Sequence, residues 1–191
     1  MEPRRFAYYA RLSAKDKRTY RMSDEAPNFV LPDAGALSPK VHALEAALVK
    51  GTRPAVARAT VELAAAILRQ LGAPGVHVRV REVRPSSGWG ELHGLYTFAA
   101  SGAAPVIELW MRTAAKAKMV KFRTYLRTLV HELAHHLDVT VLKLADSFHT
   151  QGFYRRESSL VRQLAGAPSE RSPRPAKATV RPAARQLGLF E

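Results

Sequence analysis

The chain has 191 residues, which suits one domain with tails, and 47% of them are hydrophobic, so it can bury a core. It contains no cysteine, which excludes disulfide bonds and metal sites built on thiolates. Its formal net charge of +14 and its pI near 10.6 favour polyanionic partners. The sequence shows neither a signal peptide nor a transmembrane run, so we expect a cytoplasmic, nucleoid-associated protein without a membrane partner.

The first 37 residues combine basic and aromatic side chains, and we interpret them as a basic N-terminal extension. This composition is typical of segments that contact phosphates and stack aromatic rings on unpaired bases. A solvated charged surface is the alternative interpretation. The cations are Arg4, Arg5, Arg11, Lys15, Lys17, Arg18 and Arg21, and the aromatic residues among them are Phe6, Tyr8, Tyr9 and Tyr20.

A domain predicted at residues 38–165 begins with two helices. Ser38 predicts the cap of a helix that runs to about Lys50. Thr52 predicts the cap of a second helix, which ends at about Leu71 before a glycine.

Three strands are predicted next. Alternating valines predict a strand at residues 76–80, and apolar segments predict two more at residues 92–98 and 106–111. We expect Val106 to Met111 to lie at the edge of the sheet, where it can bind an extended substrate strand. Three residues on or beside these strands can line a cleft or simply lie on the surface or in the core: His77, Trp89 and His93.

An amphipathic helix is predicted at about residues 121–138, because apolar residues recur there at steps of three and four. These residues are Phe122, Leu126, Leu129, Leu133 and Leu137. Residues 131–135 form the motif HExxH. His131 and His135 share one helical face, so each can direct a ring nitrogen at the same metal ion. Glu132 can act as the base that takes a proton from the attacking water.

A catalytic zinc site usually has three protein ligands and leaves one position for water. His149, which follows His135 by 14 residues, is the first candidate for the third ligand. Glu157 is the alternative, because it lies on the apolar face of a predicted following helix and needs a partner there. In the interpretation that we favour, Glu157 instead bonds a ligand histidine or an arginine. Asp138 and His136 are further candidates.

These residues resemble the SprT-like metalloproteases, which pair HExxH with a third histidine in a pattern close to H-G-x-x-[FW] at the start of the next helix. His149 and Phe153 match this pattern, whereas Thr150 stands at the usual glycine and Gly152 can serve the turn instead. The resemblance covers roughly residues 76–166. It implies a peptidase in which the three histidines bind Zn²⁺. Many members also carry a four-cysteine zinc ribbon, which a chain without cysteine lacks.

A second basic stretch runs into the HExxH helix and has no acidic residue among its cations. Such stretches bind phosphate backbones without reading base sequence, so we predict DNA as a partner. A solvated charged face is again the alternative. The predicted DNA-binding residues are Arg112, Lys116, Lys118, Lys121, Arg123 and Arg127.

The C-terminal tail predicts a disordered linker at residues 166–185, rich in proline, alanine and arginine. The peptide at residues 186–190 resembles the bacterial sliding-clamp-binding pentapeptide Q-L-[SD]-L-F. In such an extended peptide, leucine and phenylalanine fill an apolar pocket, so we expect the bacterial sliding clamp as a partner. A tail that folds back on the core is the alternative. The predicted clamp-binding residues are Gln186, Leu187, Leu189 and Phe190.

N-terminal helices, a small mixed sheet, the HExxH helix and a following helix together predict an α+β, zincin-like metalloprotease domain with a disordered C-terminal tail. We expect a zinc-dependent endopeptidase that the sliding clamp recruits to DNA and that degrades DNA-associated proteins, as in the repair of DNA-protein crosslinks. Two alternatives stay open. One is a non-proteolytic adaptor that binds clamp and DNA and has a structural metal site, and the other is a protease for a dedicated regulatory protein.

Overall fold

The computed structural model describes residues 5–87, 90–98 and 104–166. Arg4, Trp89 and the predicted linker beyond residue 166 lie outside the described residues. The same is true of the predicted clamp-binding residues Gln186, Leu187, Leu189 and Phe190.

The described residues form an α+β arrangement of five α-helices and five strands, preceded or interrupted by two 3-10 helices. The α-helices are α1 (Ala14–Glu25), α2 (Ser38–Lys50), α3 (Arg53–Gln70), α4 (Phe122–Thr140) and α5 (Gln151–Leu164). The strands are β1 (His77–Val83), β2 (Ser86–Ser87), β3 (Gly90–Glu91), β4 (Gly94–Thr97) and β5 (Val106–Arg112). The 3-10 helices are Ala7–Arg11 and Gly35–Leu37.

The main sheet has three strands in the order β1-β5-β4, and β2 and β3 form a separate two-stranded ribbon. β5 runs parallel to β1 and antiparallel to β4, so it is the central strand. The prediction that Val106 to Met111 lies at the sheet edge is therefore wrong. Both backbone edges of β5 are already paired, and Ile107, Leu109 and Met111 are fully buried. The edges of this sheet are β1 and β4.

One face of the sheet is covered by helices. α3 packs on β1, α4 lies against β4 and β5, and α2 packs on α3. Leu63 and Ile67 of α3 meet Leu109 of β5 and Leu129 of α4 in one core, and each of the four is at most 1% exposed. Burial of such a side chain contributes about 1.5–3 kcal/mol. α4 packs on the edge strand β4, so the HExxH motif lies beside that strand.

The starts of α2 and α3 differ from the predicted caps. Leu37, not Ser38, is the N-cap of α2, because the preceding 3-10 turn has already brought the backbone into helical geometry. Asp33 stabilises that turn, since its Oδ1 accepts from the N–H of Ala36 at 2.9 Å. Thr52 does occupy the N-cap of α3, but without a side-chain hydrogen bond to the backbone.

The segment before residue 38 packs into the domain. α1, which the sequence analysis did not predict, is capped by Ser13, whose Oγ accepts from the N–H of Asp16 at 3.1 Å, and it packs on α5. Tyr20 of α1 is fully buried, and its ring packs near that of Phe148, with 6.4 Å between the two ring centroids. The prediction that Tyr20 stacks on unpaired bases is therefore wrong, because its ring is inaccessible.

No helix within the described residues is both long enough and apolar enough to cross a membrane.

Candidate metal centre

The imidazole rings of three histidines converge beside α4. Nε2 of His149 lies 3.0 Å from Nε2 of His131 and 3.1 Å from Nε2 of His135. One ligand atom from each of the three residues can be chosen so that all lie within 4.8 Å of one another. Zinc–nitrogen bonds of 2.0–2.1 Å in a tetrahedral site would place the nitrogens about 3.3 Å apart. The three rings can therefore bind one metal ion.

The local structure explains this convergence. His131 and His135 lie one turn apart on α4, so their rings leave the same face of the helix. His149 directly precedes Thr150, the N-cap of α5, whose hydroxyl accepts from the N–H of Phe153 at 2.9 Å. The ring of Phe153 is fully buried, with its centroid 4.6 Å from that of His135. The cap and the buried ring hold the start of α5 against α4.

Gly152 does not serve a turn, contrary to the sequence-based expectation, because it lies within the first turn of α5. A Cβ at this position would overlap the backbone of Ser23 and Asp24. Asp24 also accepts a hydrogen bond from the N–H of Gly152 at 2.8 Å. Glycine is therefore required here for the close approach of α1 to α5.

Glu157 contacts the ring of His131 on the side that faces away from the other two histidines. Its Oε2 lies 3.3 Å from Nδ1 of His131, and its Oε1 accepts from Nε of Arg127 at 2.6 Å. Burial alone would raise the pKa of Glu157, but His131 and Arg127 outweigh it and the pKa is lowered. An ionised carboxylate only accepts, so Nδ1 of His131 carries the proton and Nε2 presents a lone pair. This arrangement favours Glu157 as a partner of His131 over its alternative role as the third ligand.

Two of the three histidines, His135 and His149, are held in the neutral form. Burial, reinforced by the nearby ring of His131, lowers the pKa of His149 to about 4 and holds the pKa of His135 well below its ordinary value. Neutral imidazole is the form that binds metal ions, so these two rings need not lose a proton at neutral pH to do so.

Glu132 is buried between α4 and β4, with 6% of its surface exposed. The backbone N–H of Tyr96 donates to its carboxylate. Burial raises the pKa of Glu132 to about 7, although the charge of His131 and the Tyr96 hydrogen bond act in the opposite direction. Glu132 is outside the set of three convergent ligands. A carboxyl group with this pKa can both accept and release a proton near neutral pH.

The further candidates His136 and Asp138 are buried and have other partners. Nε2 of His136 lies 2.9 Å from the carbonyl oxygen of Pro74, and its Nδ1 lies 3.1 Å from the hydroxyl of Tyr96. Asp138 forms a buried ion pair with Arg156 at 2.9 Å. His136 thus joins α4 to β4, and Asp138 joins α4 to α5.

Sequence reasoning did not identify four residues around the metal cluster: Ser147, Arg156, Gly94 and Tyr96. Nδ1 of His135 lies 2.8 Å from Oγ of Ser147. Only Arg156 had a usable signal, since an arginine on the apolar face of α5 needs a buried anion. The other three depend on the path of a loop or on strand placement, which leaves no local pattern in the sequence.

The predicted DNA-binding residues differ in their surroundings. Arg127 is bonded to Glu157, and Arg112 donates to Glu82 at 3.3 Å and to the carbonyl oxygen of Gly51 at 3.1 Å. Acidic residues distant in sequence therefore pair with these two arginines. Arg127 is nevertheless exposed, as are the four residues for which no such pair is seen within the described part of the chain: Lys116, Lys118, Lys121 and Arg123. His77 and His93 are also exposed and are not part of the cluster of three histidines.

No family model, curated protein or solved structure matches this chain.

Proposed function

We propose that this protein is a zinc-dependent endopeptidase of the SprT-like, zincin-like type that acts on DNA-associated proteins. The observation that carries the proposal is the convergence of the three Nε2 atoms next to a buried glutamate that is not a ligand. A structural zinc site is usually closed by four protein ligands. Three ligands, counted among the described residues, leave a position for the reaction and favour catalysis over a structural role.

His131, His135 and His149 would hold the metal ion, and the contact of His131 with Glu157 would orient the first of these rings. When bound, zinc supplies a Lewis acid that activates water and polarises a peptide carbonyl. Glu132 takes the proton from the attacking water and delivers it to the departing amine. Burial raises the pKa of Glu132 to about 7 in the metal-free site, and the charge of a bound metal ion would lower it from there toward the ionised form that a base requires.

β4 is the strand that would hold the substrate. Its inner edge pairs with β5 and, among the strands of the described residues, nothing pairs with its outer edge. An extended peptide can add to such an edge through backbone hydrogen bonds. β4 also contacts Glu132 through Gly94 and Tyr96, so a peptide on this edge would lie beside the base. β4, and not Val106–Met111, is therefore the strand that we propose binds the substrate.

The nucleic-acid part of the proposal is supported by charge. Lys116, Lys118, Lys121 and Arg123 are exposed just before and at the start of α4, the helix that carries the metal ligands. We propose that they bind the phosphate backbone without reading base sequence. The peptide at residues 186–190 would bind the bacterial sliding clamp and so bring the protease to replicating or repairing DNA.

The proposal is tested by incubating the full chain with zinc and a purified DNA-binding protein, with and without single-stranded or duplex DNA. Fragments in the presence of DNA, and their loss in Glu132→Gln, are expected. The non-proteolytic adaptor predicts zinc and DNA binding without fragments under every condition. Fragments formed equally without DNA would remove DNA from the proposal and leave the endopeptidase.

A further inference from the structure

A buried polar network lies behind His135, on the side away from the other ligands, and the proposed chemistry does not use it. We propose that Ser147, held by Asp138, is a positioning residue that fixes the tautomer of the His135 ring so that Nε2 is free to bind the metal. This inference deepens the proposed function and rests on its metal site.

The direction of each hydrogen bond follows from counting protons. Oγ of Ser147 lies 2.8 Å from Nδ1 of His135 and 3.0 Å from Oδ2 of Asp138. A serine hydroxyl has one proton, and a carboxylate can only accept. The Ser147 proton therefore goes to Asp138, and Oγ must accept at its other contact. Nδ1 of His135 is then the protonated nitrogen, and its Nε2 lone pair faces His149.

Burial raises the pKa of Asp138, whereas the guanidinium of Arg156 and the hydroxyl of Ser147 act in the opposite direction and favour the carboxylate. Asp138 is fully buried, and the guanidinium of Arg156 donates to its Oδ1 at 2.9 Å and 3.2 Å and to its Oδ2 at 3.0 Å. An unpaired buried carboxylate would be costly and would bind a proton instead. With Arg156 in place, Asp138 stays an acceptor, which forces the hydroxyl of Ser147 to point at it.

The same network reaches the third ligand through α1. Arg156 donates to Oγ of Ser23 at 2.9 Å, and Oγ of Ser23 lies 3.1 Å from Oγ1 of Thr150, with which it shares a hydrogen bond. Thr150 follows His149 in the chain and caps α5. One continuous set of hydrogen bonds thus connects the partner of His135 to the neighbour of His149. A helix from the predicted N-terminal extension therefore belongs to the hydrogen-bond network beside the three histidines.

The partners of the two α4 ligands differ in kind. His131 contacts the carboxylate of Glu157 directly. His135 instead contacts the hydroxyl of Ser147, whose orientation is set by the carboxylate of Asp138. Removing the hydroxyl therefore removes the constraint on the ring while Asp138 and Arg156 remain paired. Loss of such an outer contact typically lowers metal affinity 10- to 100-fold. The ring of His135 would then be free to carry its proton on Nε2, where it blocks the metal.

The test uses the full chain, Zn²⁺ as the only ligand, and two measurements: chelator competition for affinity and ¹⁵N NMR of the metal-free histidine rings for the tautomer. Wild-type His135 is expected as the Nδ1–H form. Ser147→Ala is expected to lose 10- to 100-fold in zinc affinity and to gain the Nε2–H form, and Ser147→Thr to restore both. Ser159→Ala is the matched control, because the hydroxyl of Ser159 lies 3.3 Å from Nε2 of Gln163 within α5 and away from the histidines.

A wild-type His135 in the Nε2–H form would overturn the inference without any variant. It would also be overturned if Ser147→Ala lowered the melting temperature but kept the wild-type zinc affinity and tautomer, since Ser147 would then only stabilise the fold. If the tautomer and affinity results are as expected but the wild type cleaves no protein, the endopeptidase proposal fails and the role of Ser147 stands.

Discussion

Gly94 of β4 and Glu132 of α4 are packed so closely that a Cβ at residue 94 would lie 2.5 Å from Oε1 of the glutamate and 2.8 Å from Cγ2 of Thr128. This contact joins the strand proposed to bind substrate to the side chain proposed to act as the base. A residue larger than glycine at position 94 must therefore displace the Glu132 side chain or the strand itself.

Gly94→Ala is expected to lower peptidase activity at least tenfold while leaving zinc bound, because the shift falls on Glu132 and not on the histidines. The overpacking should also destabilise the fold by about 1–3 kcal/mol. Gly75→Ala is the matched control, since a Cβ there meets nothing within 4 Å. Activity assays and zinc analysis of both variants provide the measurement, and wild-type activity in Gly94→Ala would contradict a catalytic role for this contact.

His149→Ala is expected to weaken zinc binding far more than Glu157→Gln. The first change removes one of the three proposed ligand nitrogens, whereas the second only loosens the contact with Nδ1 of His131 and should cost about 10- to 100-fold in affinity. Competition with a zinc chelator ranks the two variants. The reverse order would make Glu157 the third ligand.

The stability of the metal-free protein should depend on pH through the titration of Glu132. Its pKa is raised from 4.5 to about 7 by burial, so the folded state binds more protons than the unfolded state between these values. The resulting stability is fully present below about pH 4.5 and is lost as the pH rises through 7. The free energy of unfolding of Glu132→Gln should therefore rise relative to that of the wild type by up to about 3 kcal/mol between pH 4.5 and pH 8. Urea unfolding in chelator measures this difference, and parallel pH curves would contradict the burial of an ionisable Glu132.

DNA affinity is expected to fall steeply with salt and to vary little with sequence, because counterion release drives it. Changing Lys116, Lys118 and Lys121 to glutamate should weaken binding equally on every probe. A variant with Lys50→Glu, Arg58→Glu and Arg69→Glu, all exposed on α2 and α3, carries the same change in net charge and is the control. Fluorescence anisotropy at several salt concentrations decides the point. If both variants lose affinity equally, the net charge of the protein determines DNA affinity, and the stretch before α4 is an ordinary solvated surface.

The sequence predicts α4 and its motif well, because the apolar residues of a helix with one buried face repeat at a fixed interval. It predicts β5 as a strand but not its central place, since the alternation of buried and half-buried residues in β5 is the same for an edge or a central strand. α1 was missed because it buries few residues in a strongly polar sequence: Thr19, Tyr20 and Ser23. Hydrogen-bond partners such as Ser147 depend on where the loop after α4 returns, which no periodicity encodes.

The most direct test of the central claim compares zinc content and proteolysis in the wild type and Glu132→Gln after identical zinc loading. Both proteins are expected to bind one zinc ion per chain, because the three histidines are intact. Only the wild type should cleave a DNA-bound protein, with the variant below about 1% of its rate, since loss of a general base typically costs 10²- to 10⁴-fold. Equal cleavage by the two zinc-loaded proteins, or no zinc in either, would contradict the account.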